Sequence, residues 1–304
     1  MSSVVIAIPH AATALPPEVR AGYLPHVTRR FLRSQSDVDT DEVYTLRNVR
    51  TVRYRWSRFL ADPNRGELQE NEGGVVPQFD FDGAPIYPAG GEPGGEEQWR
   101  RVVRYHRPYH ARVALAVADP RTRFFIDAHS MAATAPRRSP DFGRERPDAV
   151  LSNRGDFEGL GVEGNFVASD PTRGGGELSC PAAFVKELTD RLAYHLGRFA
   201  VPHLDRGRRP TTEVRINDPF PGGHGVRTHA RPNGGIPGIQ LELNQGLWVD
   251  SETWEQIPGR MEWIKRVMTA WIDDVVRLRS DWELDRATTT LEHAAVVIPS
   301  LAGR

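Results

Sequence analysis

Val4-Val5-Ile6-Ala7-Ile8-Pro9-His10 and Phe124-Phe125-Ile126-Asp127-Ala128-His129-Ser130 share one pattern. Each is a short apolar run, rich in β-branched or aromatic residues, that gives way at once to polar residues including a histidine. Continuous apolarity without alternation marks a strand buried on both faces, as in a parallel sheet covered by helices. Working outward, further strands are expected over 49–55, where Val52 and Tyr54 alternate with Arg53 and Arg55, and over 149–152, 211–216 and 239–243. Helices are expected over 17–33, 38–46, 96–118 with a kink at Pro108, 181–199 opened by proline, and 258–278. Segments 66–95, 155–176 and 217–238 read as loops rich in Gly and Pro, the first long enough to suggest a lid. The tail after Asp281 reads either way. Alternating strands and helices imply an α/β fold in three layers, a mixed, mostly parallel sheet with helices on both faces. No repeat or linker divides the chain, so 1–304 is expected to be a single catalytic domain.

Composition narrows the function classes. Hydrophobic residues make up 39% and charged residues 26% of 304, which allows a sizeable core. A net charge of −1 gives no bulk reason to bind nucleic acid or an anionic membrane. Lys186 and Lys265 are the only lysines among 39 basic residues, so arginine abundance says little about any one arginine. A lone cysteine, Cys180, rules out an internal disulfide and a cysteine-cluster metal site, and nothing in sequence activates it as a nucleophile. The start, Met-Ser-Ser-Val-Val-Ile, lacks a signal-peptide pattern, and no run is long enough to span a bilayer. The expected location is the cytoplasm.

Ligands of open α/β sheets gather at the carboxyl ends of the strands, and four polar clusters fall there. Two of them contribute His10 and His129. One histidine is commonly a hydrogen-bonded loop residue. Two, with carboxylates to hand, favour a metal, and two imidazoles plus one carboxylate suit zinc with a coordination position left open. The carboxylate is open among the residues of Ser36-Asp37-Val38-Asp39-Thr40-Asp41-Glu42, some of which serve equally well as a solvated acidic helix start. Asp127 could orient an imidazole. Glu242 stands between Leu241 and Leu243, where a buried carboxylate requires a partner, either an arginine or a metal site over which it acts as general base. Arg58, Arg65 and Arg227 are candidates for binding anions, Arg65 gaining from the adjacent Asn64. In Tyr105-His106-Arg107-Pro108-Tyr109-His110 the two histidines, four apart on a helix, could bind metal or serve packing.

These pieces, in this order, resemble the N-formylglutamate amidohydrolase family. They are Ile8-Pro9-His10-Ala11-Ala12-Thr13, Asp37 with Val43-Tyr44, Ser57-Arg58-Phe59 with Asp62-Pro63-Asn64-Arg65, Phe81-Asp82-Gly83, the Tyr105–His110 motif, Asp127-Ala128-His129-Ser130, Phe220-Pro221-Gly222-Gly223 with Arg227, and Ile239-Gln240-Leu241-Glu242-Leu243-Asn244-Gln245. The resemblance implies a fold similar to the zinc carboxypeptidases and one Zn2+ per chain held by His10, Asp37 and His129. It also implies Glu242 as general base and Asn64-Arg65 as the pair that holds the carboxylate of a small amide substrate; Arg58 or Arg227 as oxyanion donor, and Arg227 and Gln245 beside the substrate, complete the expected site. The implied reaction is deformylation of an N-acyl amino acid such as N-formyl-L-glutamate. A peptide or natural-product amidohydrolase, and a metal-free scaffold on the same fold, are the other readings.

Overall fold

The structure, a computed structural model, describes residues 3–69, 73–161 and 177–296, the side chains of 283–296 excepted. In chain order its elements are β1 (Val4–Ile8), α1 (Pro17–Arg20), α2 (Arg29–Ser34), α3 (Thr40–Val43), β2 (Arg50–Arg53), α4 (Gly95–Arg101), α5 (Arg107–Val117), β3 (Phe124–Met131), β4 (Ala149–Ser152), α6 (Ala182–Arg198), β5 (Val214–Ile216), α7 (His224–His229), β6 (Gly238–Asn244) and α8 (Arg260–Val296). The strands form one sheet in the order β2-β1-β3-β6-β4-β5. All neighbours run parallel except β4, which is antiparallel to β6. The expected mixed, mostly parallel sheet is therefore present.

Both faces of the sheet are covered, which explains why β1 and β3 read as unbroken apolar runs. On one face Ile6, Ile8, Ile126, Leu241 and Leu243 pack against Phe184, Leu188 and Leu192 of α6 and Trp263, Val267 and Trp271 of α8. On the other, Val5, Ala7 and Phe125 meet Tyr109, Val113 and Val117 of α5. Strand residues alternate between faces. Asp127 and His129 therefore share the α5 side with Gln240 and Glu242, their register partners across β3 and β6.

Several boundaries differ from the sequence reading. The expected 17–33 helix is two short helices, and 38–46 forms only one turn, α3. Around Pro108 there is no simple kink. A π-helical turn over Val102–His106 joins α4 to α5 and accommodates the missing N–H and the ring of proline. The strand that begins with the apolar run Phe124-Phe125-Ile126 continues through the polar residues to Met131, so His129 lies within β3 and not beyond its end. The 217–238 loop contains α7. The last helix extends to Val296, past the ambiguous point at Asp281. Segment 66–95 has neither helix nor strand among its described residues before α4, and the 155–176 loop lies largely outside the described residues. No helix among the described residues is long and apolar enough to cross a membrane.

Candidate metal centre

His10 follows β1, His129 sits in β3, and Asp37 is brought between them by the turn preceding α3. The backbone joins these pieces, for Asp37 N–H donates to His10 O at 3.2 Å. All three residues are buried. His10 Nδ1 and His129 Nδ1 are 3.1 Å apart, and Asp37 Oδ2 is 3.8 Å from the first and 3.3 Å from the second. Ligand atoms around a tetrahedral zinc, at bond lengths of about 2.0–2.1 Å, stand about 3.3–3.4 Å from one another. The triangle therefore has nearly the size such an ion needs.

Tautomers support the same fit. His10 Nε2–H donates to Asp62 Oδ1 at 2.7 Å, so its Nδ1 carries a lone pair directed at Asp37 and His129. Asp62 is itself held by Arg58 Nη2 at 2.6 Å and by the Asn64 backbone N–H at 2.8 Å. This is the carboxylate–histidine arrangement that commonly stands behind a metal ligand. Behind His129, Asp127 Oδ2 lies 3.3 Å from Nε2, although neither atom completes a hydrogen bond.

Charge completes the test. Burial holds the His10 pKa down, helped by Arg58, and keeps the ring neutral. Burial acts the same way on His129, yet the carboxylates of Asp127, Glu242 and Asp37 outweigh it and raise its affinity for a proton well above normal. A buried pocket so rich in carboxylates attracts a cation, and a divalent ion fits the three converging lone pairs better than one proton does.

Asp37 is the member of its acidic segment that turns inward, where Oδ2 accepts the Ser130 N–H at 3.0 Å. Asp39 instead pairs with Arg33 at 2.7 Å and Asp41 with Arg53 at 3.2 Å. Gln245 is buried and its amide donates to Ser36 O and Ser130 Oγ, both at 3.0 Å, bracing the Asp37 turn from the end of β6.

Glu242 stands beside His129 in register, and burial pushes its carboxyl up to about 7. Among the described residues no arginine forms a salt bridge with it. Its hydrogen-bond donor is Gln240 Nε2 at 2.9 Å, and Gln240 Oε1 in turn accepts the Gly223 N–H at 2.7 Å. The sequence reading assigned no role to Gln240 or Asp62. Spacing could have flagged both, since Gln240 is two residues from Glu242 on a strand and Asp62 four from Arg58.

Arg58 is largely buried, occupied with Asp62 through Nε and Nη2 and stacked over Phe81 at 4.8 Å. Asn64 accepts the Gly225 N–H on Oδ1 at 3.0 Å, tying its loop to α7. Glycine at 223 and 225 permits this approach, because a Cβ at either position would collide with Asn64 or Asp127. Arg65 donates from Nε to Gly73 O and from Nη1 to Asn64 O, each at 3.0 Å. Arg227 is exposed on α7, 3.4 Å from His224 Nδ1.

The ring nitrogens of His106, His110 and His224 also converge within 4.8 Å. Both nitrogens of His110 are already engaged, however, with Pro63 O at 2.9 Å and His229 Nε2 at 2.7 Å. Cys180 is buried and its thiol pushed up by that burial, consistent with a core residue.

A mostly parallel sheet with a buried His–Asp–His triangle beside a buried carboxylate defines an α/β site whose residues could hold a metal ion. Residues 2–249 match the family described as N-formylglutamate amidohydrolase, and the chain belongs to that family. An N-formylglutamate deformylase of Pseudomonas aeruginosa is 27% identical over 266 residues, 82% of each chain, and one of Pseudomonas putida is 26% identical over 260 residues, 81% of each. Among solved structures, the N-formylglutamate amidohydrolase of Ralstonia eutropha JMP134 is similar with a TM-score of 0.67 at 22% identity, over 92% of this chain and 95% of that one. A gene product of Agrobacterium tumefaciens gives 0.56 at 16% identity, over 90% and 92%.

Proposed function

We propose that this chain is a cytoplasmic, zinc-dependent deformylase, a single catalytic domain that hydrolyses N-formyl-L-glutamate or a closely related N-acyl amino acid to formate and the free amine. The observation that carries this reading is the convergence of His10 Nδ1, Asp37 Oδ2 and His129 Nδ1 beside Glu242. The names of the Pseudomonas relatives supply the substrate.

A divalent ion held by His10, Asp37 and His129 would supply Lewis acidity to an amide carbonyl and to a water. Glu242 accepts the water's proton as its oxygen adds to the formyl carbon, and returns it to the nitrogen as the C–N bond breaks. Burial raises the affinity of the Glu242 carboxylate for a proton, which suits it to taking the one the water gives up. Gln240 fixes its orientation. Arg58 Nη1, which has no hydrogen-bond partner among the described residues, offers charge to the developing oxyanion. Asn64 and Arg65 dock the α-carboxylate, with Arg227 available to a second carboxylate at the rim. Gln245 contributes by bracing the turn that carries Asp37.

The test is turnover by purified protein of known metal content. About one divalent ion per chain, activity abolished by chelation and restored by zinc, and preference for N-formylglutamate over short peptides are expected. Full activity in verified metal-free protein, or metal content unchanged in both His10→Ala and His129→Ala, would end the proposal.

A further inference from the structure

The motif Tyr105–His110 has no part in the reaction as described, yet it approaches the proposed docking loop closely. The π-helical turn ends at His106 and α5 begins at Arg107, which leaves the His106 and His110 rings on one side of the helix with centroids 4.3 Å apart. His106 Nε2 lies 2.9 Å from Arg65 O and His110 Nε2 lies 2.9 Å from Pro63 O. Those carbonyls flank Asn64 on either side. A carbonyl oxygen only accepts, so both rings must carry their proton on Nε2. The lone pair left on His110 Nδ1 then accepts from His229 Nε2–H at 2.7 Å, and the stacked His229 ring fixes the tautomer.

We propose that His106 and His110 are positioning residues that hold Asn64 and Arg65 in place for the substrate carboxylate, with His229 locking His110 as the donor. This rests on the reading of Asn64–Arg65 as the carboxylate dock. The loop is thereby held on two sides. Asp62, behind the metal ligand His10, receives the Asn64 N–H at 2.8 Å and, through its carbonyl, the Arg65 N–H at 3.1 Å. From the helical side, His110 grips the Pro63 carbonyl and His106 the Arg65 carbonyl. Neutral rings suit the task, since a second ring proton on His110 would confront the His229 N–H. Burial and the neighbouring histidines hold His110 down to about 2, and burial with Arg231 and His106 holds His229 down to about 4.

The same geometry discounts a metal at this cluster, because each nitrogen of His110 already has a partner. His106 Nδ1 is the one buried ring nitrogen of the pair without a partner. It faces Glu67 Oε1 at 4.0 Å, and Glu67 is itself clamped by Arg107 at 2.8 Å.

The experiment compares His106→Leu and His110→Leu with His106→Gln and His110→Gln in the metal-loaded protein, glutamine offering an N–H of similar reach. Amide hydrogen exchange at Asn64 and Arg65 reads the loop directly. Steady-state kinetics on N-formylglutamate and on its α-amide read the dock. We expect the leucine variants to exchange faster at these two amides, to raise KM for the free acid by about tenfold, the scale of one hydrogen bond, and to leave kcat and metal content near wild type. The α-amide, which lacks the docked charge, should show no such rise, and glutamine should restore both readouts. Unchanged exchange in the leucine variants overturns the proposal, as does a loss that falls on kcat or on acid and amide alike. If exchange responds but the wild type itself does not distinguish acid from amide, the clamp stands and the docking role of Asn64–Arg65 is what fails.

Discussion

His10 Nε2 and Asp62 Oδ1 are 2.7 Å apart, and this contact dedicates the other ring nitrogen of His10 to the space shared with Asp37 and His129. Asp62 is buried and its carboxyl, although opposed by burial, is held well below the usual range chiefly by Arg58 and His10. The carboxylate is thus a permanently charged acceptor.

Asp62→Asn is therefore expected to keep the fold and lose metal affinity by about 10–100-fold, as removal of such an outer partner generally does. Competition with a chelator of known affinity measures this. Wild-type affinity in the variant would show that the His10 tautomer does not depend on Asp62.

Glu242→Gln is expected to retain fold and metal and to lose rate by roughly 100-fold or more. The competing role for a buried carboxylate is an ion pair with an arginine; among the described residues its hydrogen-bond partner is instead Gln240. A folded, metal-loaded variant with near-normal turnover would remove Glu242 from the chemistry.

Arg65→Lys should impair turnover of a free-acid substrate almost as much as Arg65→Ala. A planar guanidinium grips a carboxylate at two points and an ammonium does not. Equal turnover of the free acid and its α-amide by the wild type would argue against the dock.

The histidines of α5 and α7 give a pH dependence of stability. Burial, then neighbouring positive charge, lowers His110 to about 2 and His224 to about 4; burial lowers His229 to about 4. The unfolded chain binds protons below about 6.5 that the folded protein refuses, so stability is full above that pH and falls as pH drops toward the folded values. Each histidine kept neutral removes about 1.4 kcal/mol per pH unit in that window. Urea midpoints between about pH 7 and about pH 4.5 should fall less steeply for His224→Gln than for wild type. Parallel slopes would mean that His224 is not held neutral.

Much of this was legible in the chain order of residues. The apolar runs at Val4–Ile8 and Phe124–Ile126 announced two covered parallel strands, because a strand buried on both faces favours apolar residues at successive positions and loses the polar alternation of a half-exposed one. The Leu-Glu-Leu run in β6 marked Glu242, since a carboxylate in such a strand has to be compensated. The ends of elements were less legible. One turn of helix at α3 and the π-helical turn before Pro108 are set by what the segments pack against, not by local periodicity.

Sequence by itself determined which chemistry was present: two histidines, a surplus of nearby carboxylates, an Asn-Arg pair and a pair of histidines four apart. Only the tertiary structure decided how they are shared out. It turns Asp37 inward and leaves Asp39 and Asp41 to Arg33 and Arg53, gives Arg58 to Asp62, and sets His106 and His110 against the carbonyls around Asn64. The physical reason is range. Hydrophobic patterning is local and repeats every two or three to four residues, whereas a hydrogen bond between residues 52 apart, such as His10 and Asp62, exists only after the sheet has brought their loops together.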